Sequence, residues 1–314
     1  MMTTSDHIGI LIPVSRANAI GTQLSATDKF TSNLVWTDNR NGVNADSNIE
    51  MIKIVGIGNK GYVLVFPGKA EGNSVVAIKK ADKVLWSWHI WVIETMPQPS
   101  QKGNFMDRNL GALGANVSEN EKCRGLFYQW GRKDPFPTKQ YLGLTPLYNS
   151  EGTRISNNEV NVSSGTGSVS YAVEHPETFI NGSSTQNGDW LYTSDPTLWK
   201  ADSEKTVYDP CPYGWRIPNS SLDWNISDGA APWTNFGDPK GLFNSDLGGF
   251  YPISGFLKGI VDGQQDSLWF YYWACKTSDK ESEILAFNSG NPTRKPTDGH
   301  MSRSNGATVR CKKE

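Results

Sequence analysis

The chain of 314 residues lacks most of what would announce an enzyme or a metalloprotein. It has four cysteines, Cys123, Cys211, Cys275 and Cys311, and no two of them form a CxxC pair. Its four histidines, His7, His89, His175 and His300, are scattered, so a structural zinc site is not expected. There is no G-x-S-x-G elbow, H-E-x-x-H, P-loop or DxDxDG calcium loop. No apolar run approaches the roughly 20 residues that span a bilayer as a helix. A formal charge of −2 gives no electrostatic reason to expect nucleic acid or an anionic membrane as partner. Helical periodicity is scarce as well; the best candidate is one short helix after Pro218, capped by Asn219 or Ser220.

What the chain has is turn formers and tryptophan. Thirty-one Gly and 17 Pro, with many Asn and Ser, predict strands and turns over helices. Seven of the 12 tryptophans fall between Trp190 and Trp273, where the densest packing is expected. An indole must bury a large ring and satisfy its N–H, so tryptophan-rich runs mark fixed positions. Three such runs are Trp86-Ser87-Trp88-His89-Ile90-Trp91, Gly125 to Arg132, and Asp209 to Pro218.

Residues 1–82 read as a β-rich N-terminal unit, with β-type runs at 33–36, 49–55, 62–66 and 75–78 separated by Gly and Asn. Inside it, Gly56-Ile57-Gly58-Asn59-Lys60-Gly61 matches the GxGxxG dinucleotide fingerprint, with Asp82 further on. That fingerprint needs a helix after it, and here Tyr62-Val63-Leu64-Val65-Phe66 follows. A hairpin turn is the expectation. Ile8 to Val14 is apolar but follows Asp6 without a basic region, so it does not read as a secretory signal. An exported chain lacking its signal is expected. From Lys83 the texture changes, and 83–314 is expected to be a second domain, with an exposed loop over 149–170.

The cysteine count alone is compatible with two disulfides, one, or none. Were Cys211 joined to Cys311, the closed loop of about 100 residues would contribute roughly 4–5 kcal/mol.

Five ordered segments carry a family resemblance: Trp86 to Trp91; Met106 to Ala112; Gly125 to Arg132 with Lys133-Asp134-Pro135-Phe136; Asp209 to Pro218; and the terminal Val309-Arg310-Cys311. In that order they resemble the Fibrobacter succinogenes major paralogous domain, which is common in fimbrillin-like, type V pilus-associated surface proteins of Bacteroides-type bacteria. The resemblance covers roughly 83–314. It implies an α+β, C-type-lectin-like fold with long irregular loops, here preceded by the sandwich-like N-terminal unit. It also implies that the chain ends meet, which a Cys211–Cys311 bridge would fit. Cys123 and Cys275 depart from the family pattern, which hints that they pair with each other.

Within that frame the expected struts are Trp86, Trp88, Trp91, Asp107, Arg108, Trp130, Arg132, Trp215 and Arg216. The tryptophans are expected to share a strand face. The charged residues, Arg132 with Asp134 among them, are expected in ion pairs bracing turns. Candidate contact residues lie in loops between about 220 and 306: Trp233, Tyr251, Trp269, Tyr271, Tyr272, Asn291 and Arg303. Rigid aromatics beside small polar residues are what recognition loops use.

The sequence therefore predicts a cell-surface adhesin, a fimbrial or pilus-tip subunit, that binds a host or bacterial protein or glycan and associates with other pilus subunits. No cofactor is expected. A calcium-dependent lectin is a weaker reading, because Asn291-Pro292-Thr293 and Trp233-Thr234-Asn235 lack the carboxylates a hard cation wants. A formylglycine-generating type of enzyme is weaker still, because its cysteine arrangement is not matched.

Overall fold

A computed structural model describes residues 1–3, 8–20, 24–100, 103–140, 143–183, 188–224, 233–236, 241–244, 247, 249–259, 269–278, 281–288 and 297–314. The architecture is mostly β, with 41% strand against 9% helix, in several small sheets. The single α-helix among the described residues is Val169–Glu174. This overturns the expected α+β, C-type-lectin-like fold. Few stretches repeat apolar residues at helical spacing, and Gly, Asn and Pro interrupt the rest, so short strands and turns take up the chain.

The chain divides into two compact units. The first comprises residues 1–96 with 145–158 and 169–178. Its larger sheet runs in the order Met2–Thr3, Lys83–Ile93, Gly72–Lys80, Thr31–Thr37, Leu147–Tyr148, Arg154–Ile155. A second sheet joins Ile10–Pro13, Tyr62–Pro67 and Ile49–Val55, all antiparallel. Gly56 to Gly61 is the turn between the last two strands, with one 3-10 turn at Gly58–Lys60 and no α-helix following.

Residue 82 lies in the tight connection between Gly72–Lys80 and Lys83–Ile93, which pair over most of their length. The first tryptophan run therefore belongs to the first unit. Trp86 sits opposite Ile78 and Trp88 opposite Val76, on one face; Trp91 sits opposite Asn73, on the other. The expected common face holds for two indoles only, since strand side chains alternate with a period of two and Trp91 has odd parity. Trp86 and Trp91 are buried, and Trp88 is half-buried. The 149–170 segment, expected to be loop, contributes Arg154–Ile155 and Asn158–Asn161 as short strands.

A polar chain crosses the larger sheet. Asn73 donates its backbone N–H and its Nδ2–H to Asp38, at 2.8 and 2.9 Å. Its Oδ1 then faces His89 Nε2 at 3.0 Å, which makes that nitrogen the protonated one. Burial lifts the Asp38 carboxyl to about 6 and lowers the His89 imidazole to about 3.

The second unit comprises 97–144, 159–168 and 179–314. Its main sheet runs Thr297–Ser302, Glu281–Asn288, Trp269–Thr277, Gly306–Thr308, Phe127–Gln129. A three-stranded sheet of Trp233–Phe236, Gly241–Asn244 and Gly249–Pro252 lies in the same unit. A core of Phe105, Trp224, Tyr251, Tyr272, Leu285 and Phe287, among others, draws on both sheets.

Asp38 and His89 act in opposite directions. His89 has a folded value below its ordinary 6.5, so the unfolded chain binds the proton first and stability is lost as pH falls from about 6.5 toward 3. Asp38 has a folded value above its ordinary 3.8, so its contribution is lost as pH rises through about 4 to 6. A His89→Gln variant keeps a donor for Asn73 and removes only the first effect. Relative to the unsubstituted protein it gains about 1.4 kcal/mol per pH unit on acidification through that range. Urea unfolding at several pH values reads this; parallel curves would contradict it.

Candidate functional site

Of the five expected contact residues whose side chains are described, two lie at a surface. Trp269 and Tyr271 are half-buried at the start of Trp269–Thr277. Alternate residues share a strand face, and the two rings are nearly parallel, with 6° between planes and 6.0 Å between centroids. Phe256, also half-buried, meets Tyr271 edge-on at 5.1 Å. Further along the same strand Trp273 and Cys275 are fully covered, so the aromatic face emerges only at its 269–271 end.

Tyr251, Tyr272 and Arg303 are corrections, because all three are core. Tyr251 and Tyr272 are packed edge-to-face at 5.3 Å, and Tyr272 donates its hydroxyl to Pro252 O at 3.4 Å. Arg303 is fully buried, paired with Asp189 at 2.9 Å and set over the Trp130 ring at 5.0 Å. Trp233 lies in the strand Trp233–Phe236. Asn291 lies outside the described residues.

Beneath this patch is a frame in which large polar side chains donate to backbone oxygens. Trp130 Nε1 donates to Ala274 O at 3.1 Å, Trp273 Nε1 to Tyr128 O at 2.8 Å, and Trp190 Nε1 to Trp130 O at 2.7 Å. The first two bonds tie Phe127–Gln129 and the turn after it to Trp269–Thr277, and the third holds the Trp190 segment against that turn. Gly125 and Gly131 flank that strand with φ of +76° and +85°. A side chain at Gly125 would also meet Leu110 O at 2.6 Å, which accounts for glycine there.

Arg310 is fully buried and donates to Asn109 Oδ1 at 2.9 Å, Met106 O at 3.3 Å and Phe250 O at 2.6 Å. Its guanidinium lies 4.0 Å from the Tyr251 ring centroid. Asp107 and Arg108 form a two-point pair at 3.0 and 3.1 Å. Asp134 takes Lys133, at 2.7 Å, where Arg132 was expected. Arg132 instead donates to Gln129 Oε1 at 2.9 Å and lies over Phe136 and Trp190.

A cleft of about 480 Å³ in the same unit is lined by Lys205, Arg216, Asn219, Asp223, Lys312 and Glu314, with others. The motif Asp209 to Ile217 forms one wall by folding around the Lys205 ammonium. Lys205 donates to the carbonyls of Cys211, Pro212 and Trp215. Asp209 lies 3.7 Å from it and accepts the N–H groups of Cys211 and Ile217. Burial pushes the ammonium down and the carboxyl up from their ordinary values, while the opposite charge of each partner works against that shift in the other. Arg216 donates to Ser203 O and Lys200 O, and Trp215 is buried beside it.

Cys211 and Cys311 are joined across 100 residues. Cys123 and Cys275 are not joined to each other. Cys123 lies 3.0 Å from Asn116 O and Cys275 lies 3.7 Å from Ile217 O, each buried in its own pocket. Burial raises the Cys123 thiol to about 12 and raises Cys275 as well, which makes both poor nucleophiles. Among the described residues no three His, Cys, Asp or Glu side chains converge on a metal position.

Sequence reasoning missed Phe256, Lys205 and most of the cleft. Lys205 had only its nearness in sequence to Asp209; Phe256 had no signal, because only the folded chain brings it to Tyr271. No known family model, curated protein or solved structure matches this chain.

Two outcomes test the frame. Non-reduced peptide mapping should recover a Cys211–Cys311 cross-link, while Cys123 and Cys275 react with a thiol reagent only after denaturation; fast native labelling of either would refute their burial. Replacing Arg310 by Lys, which cannot span three oxygens with a planar fork, should lower the unfolding free energy by about 2–4 kcal/mol in chemical denaturation. A change below about 0.5 kcal/mol would remove Arg310 from the frame.

Proposed function

We propose that the protein is a non-catalytic binding protein of the cell surface, an adhesin of fimbrial or pilus-tip type that holds a protein or glycan. The observation that carries this reading is the half-buried group of Trp269, Tyr271 and Phe256 on a braced sheet. Aromatic rings already held by their neighbours lose little side-chain freedom on binding, so their contact area converts efficiently into affinity. Flat rings also stack on sugar faces without a metal.

Supporting features point the same way. The Cys211–Cys311 bridge suits an oxidising compartment, which fits a location outside the cytosol. The two other cysteines are buried with raised thiols, which speaks against thiol chemistry. The five ordered sequence segments add the resemblance to pilus-associated surface proteins, as sequence patterns independent of the fold they were expected to adopt. Tyr251, Tyr272 and Arg303 take no part in that contact, since all three are buried.

Screening on glycan and protein arrays, with and without EDTA, tests the proposal. A Trp269→Ala/Tyr271→Ala variant should keep its melting temperature to within a few degrees and bind about tenfold more weakly or worse. EDTA should change nothing. Unaltered binding by the double variant, or turnover of any substrate, would defeat this reading, and EDTA-sensitive sugar binding would favour a metal-dependent lectin.

A further inference from the structure

Of the ten exposed large apolar side chains among the described residues, six belong to one small region of the first unit: Ile8, Leu11, Met51, Val55, Ile57 and Tyr62. The strand register shows why they cluster. Ile10, Val65 and Ile52 lie in one row across the three-stranded sheet, and Ile12, Val63 and Ile54 in another. Val63, Val65 and Ile12 are buried, so these rows form the inner face. The intervening rows point the other way: Leu11, Leu64 and Lys53; Pro13, Tyr62 and Val55; and Phe66 with Met51. The sheet is therefore apolar on both sides, where an antiparallel sheet with one solvated face should alternate apolar with polar. Ile57, at the tip of the Gly56 to Gly61 turn, is 71% exposed, and Ile8, just ahead of the first strand, 69%. An outward apolar face of this kind marks an interaction site.

Charge indicates the occupant. Lys53 sits in the middle of the face, Lys60 in the turn beside Ile57, and Arg16 in the 3-10 helix whose first residue, Val14, donates to Gly61 O. All three are exposed. Glu50 stands alone against them on these strands and their turn, and Asp28, which adjoins the turn through its carbonyl, is paired with Lys80 at 2.9 Å. The region is thus net positive in a chain whose formal charge is −2. Two copies stacked through this face would bring like charge to like, which opposes self-association. Apolar side chains protruding at turns, a tyrosine at the margin and lysines with long aliphatic stems match a membrane interface instead.

We propose that the outer face of the Ile10–Pro13, Tyr62–Pro67, Ile49–Val55 sheet docks on an anionic lipid surface. Leu11 and Ile57 enter the headgroup–acyl boundary, while Lys53, Lys60 and Arg16 meet the phosphates. This contact is separate from the ligand patch of the second unit and does not depend on it.

Flotation of the full chain with vesicles tests it, using phosphatidylcholine alone or mixed equally with phosphatidylglycerol. The protein should float with the mixed vesicles, less so in high salt, and much less with phosphatidylcholine alone. Leu11→Ser/Ile57→Ser and Ile57→Ser should each weaken binding, the double variant by about tenfold or more. Lys53→Glu should weaken it too. Leu222→Ser, which removes an exposed leucine of the second unit, should leave it unchanged. Equal binding to both vesicle types, no binding to either, or insensitivity to the apolar variants would overturn the proposal. So would a dimer in sedimentation that Leu11→Ser/Ile57→Ser dissolves, because the face would then belong to a second copy.

Discussion

Hydrogen-bond donors taken out of water must find acceptors, and in the second unit many of the acceptors are backbone carbonyls of strands and turns far away in sequence. Arg310 illustrates the constraint. A fully buried guanidinium reaches Asn109, Met106 and Phe250 and rests on Tyr251, so one side chain near the end of the sequence fixes three distant segments. Trp130, Trp190 and Trp273 act likewise with a single donor each. Donors that would be costly if left unpaired are placed on backbone carbonyls. A unit built from short strands holds its shape by this means, with the disulfide limiting the unfolded chain at the same end.

The same logic explains why charge inside this unit is structural. Arg303 with Asp189, Lys133 with Asp134, and Lys205 with Asp209 are all desolvated pairs. Such pairs gain little over apolar packing, yet removing one partner leaves a buried charge uncompensated. They therefore select one arrangement over its near alternatives. Lys205 is the clearest case: an ammonium at the focus of three carbonyls shapes the Asp209 to Ile217 turn as a bound cation would.

Legibility followed the range of the interactions. Strands in the first unit were readable because β-type runs and the glycines between them are local signals, and the GxGxxG segment was separable from a nucleotide loop by the strand that follows it. The change in texture at Lys83 misled, because tryptophan density tracks packing and not domain limits; the strand carrying Trp86, Trp88 and Trp91 completes a sheet begun before it. Burial of Tyr251, Tyr272 and Arg303 was invisible for a related reason. Whether an aromatic or an arginine faces out depends on what lies across the sheet, and the partners of Arg303 sit more than 100 residues away. The lectin-like fold failed because ordered motifs report side-chain chemistry at turns, and turns of one kind can join different arrangements of strands.

Apolar surface and charge also divide the molecule's outward faces by purpose. The aromatic patch of the second unit is half-buried and braced, which suits contact with another ordered surface, where pre-set geometry saves entropy. The outer sheet face of the first unit carries exposed aliphatic side chains, the most exposed at its turn, and nothing in it resembles a pocket-forming aromatic anchor. A fluid interface demands no shape complementarity and gains from every buried methylene, so protruding aliphatic residues flanked by lysine are efficient there. The overall charge of −2 conceals this, since it averages a cationic sheet with an acidic remainder. Local field, set by which strands fold beside one another, governs what a surface attracts, and net charge read from the sequence does not report it.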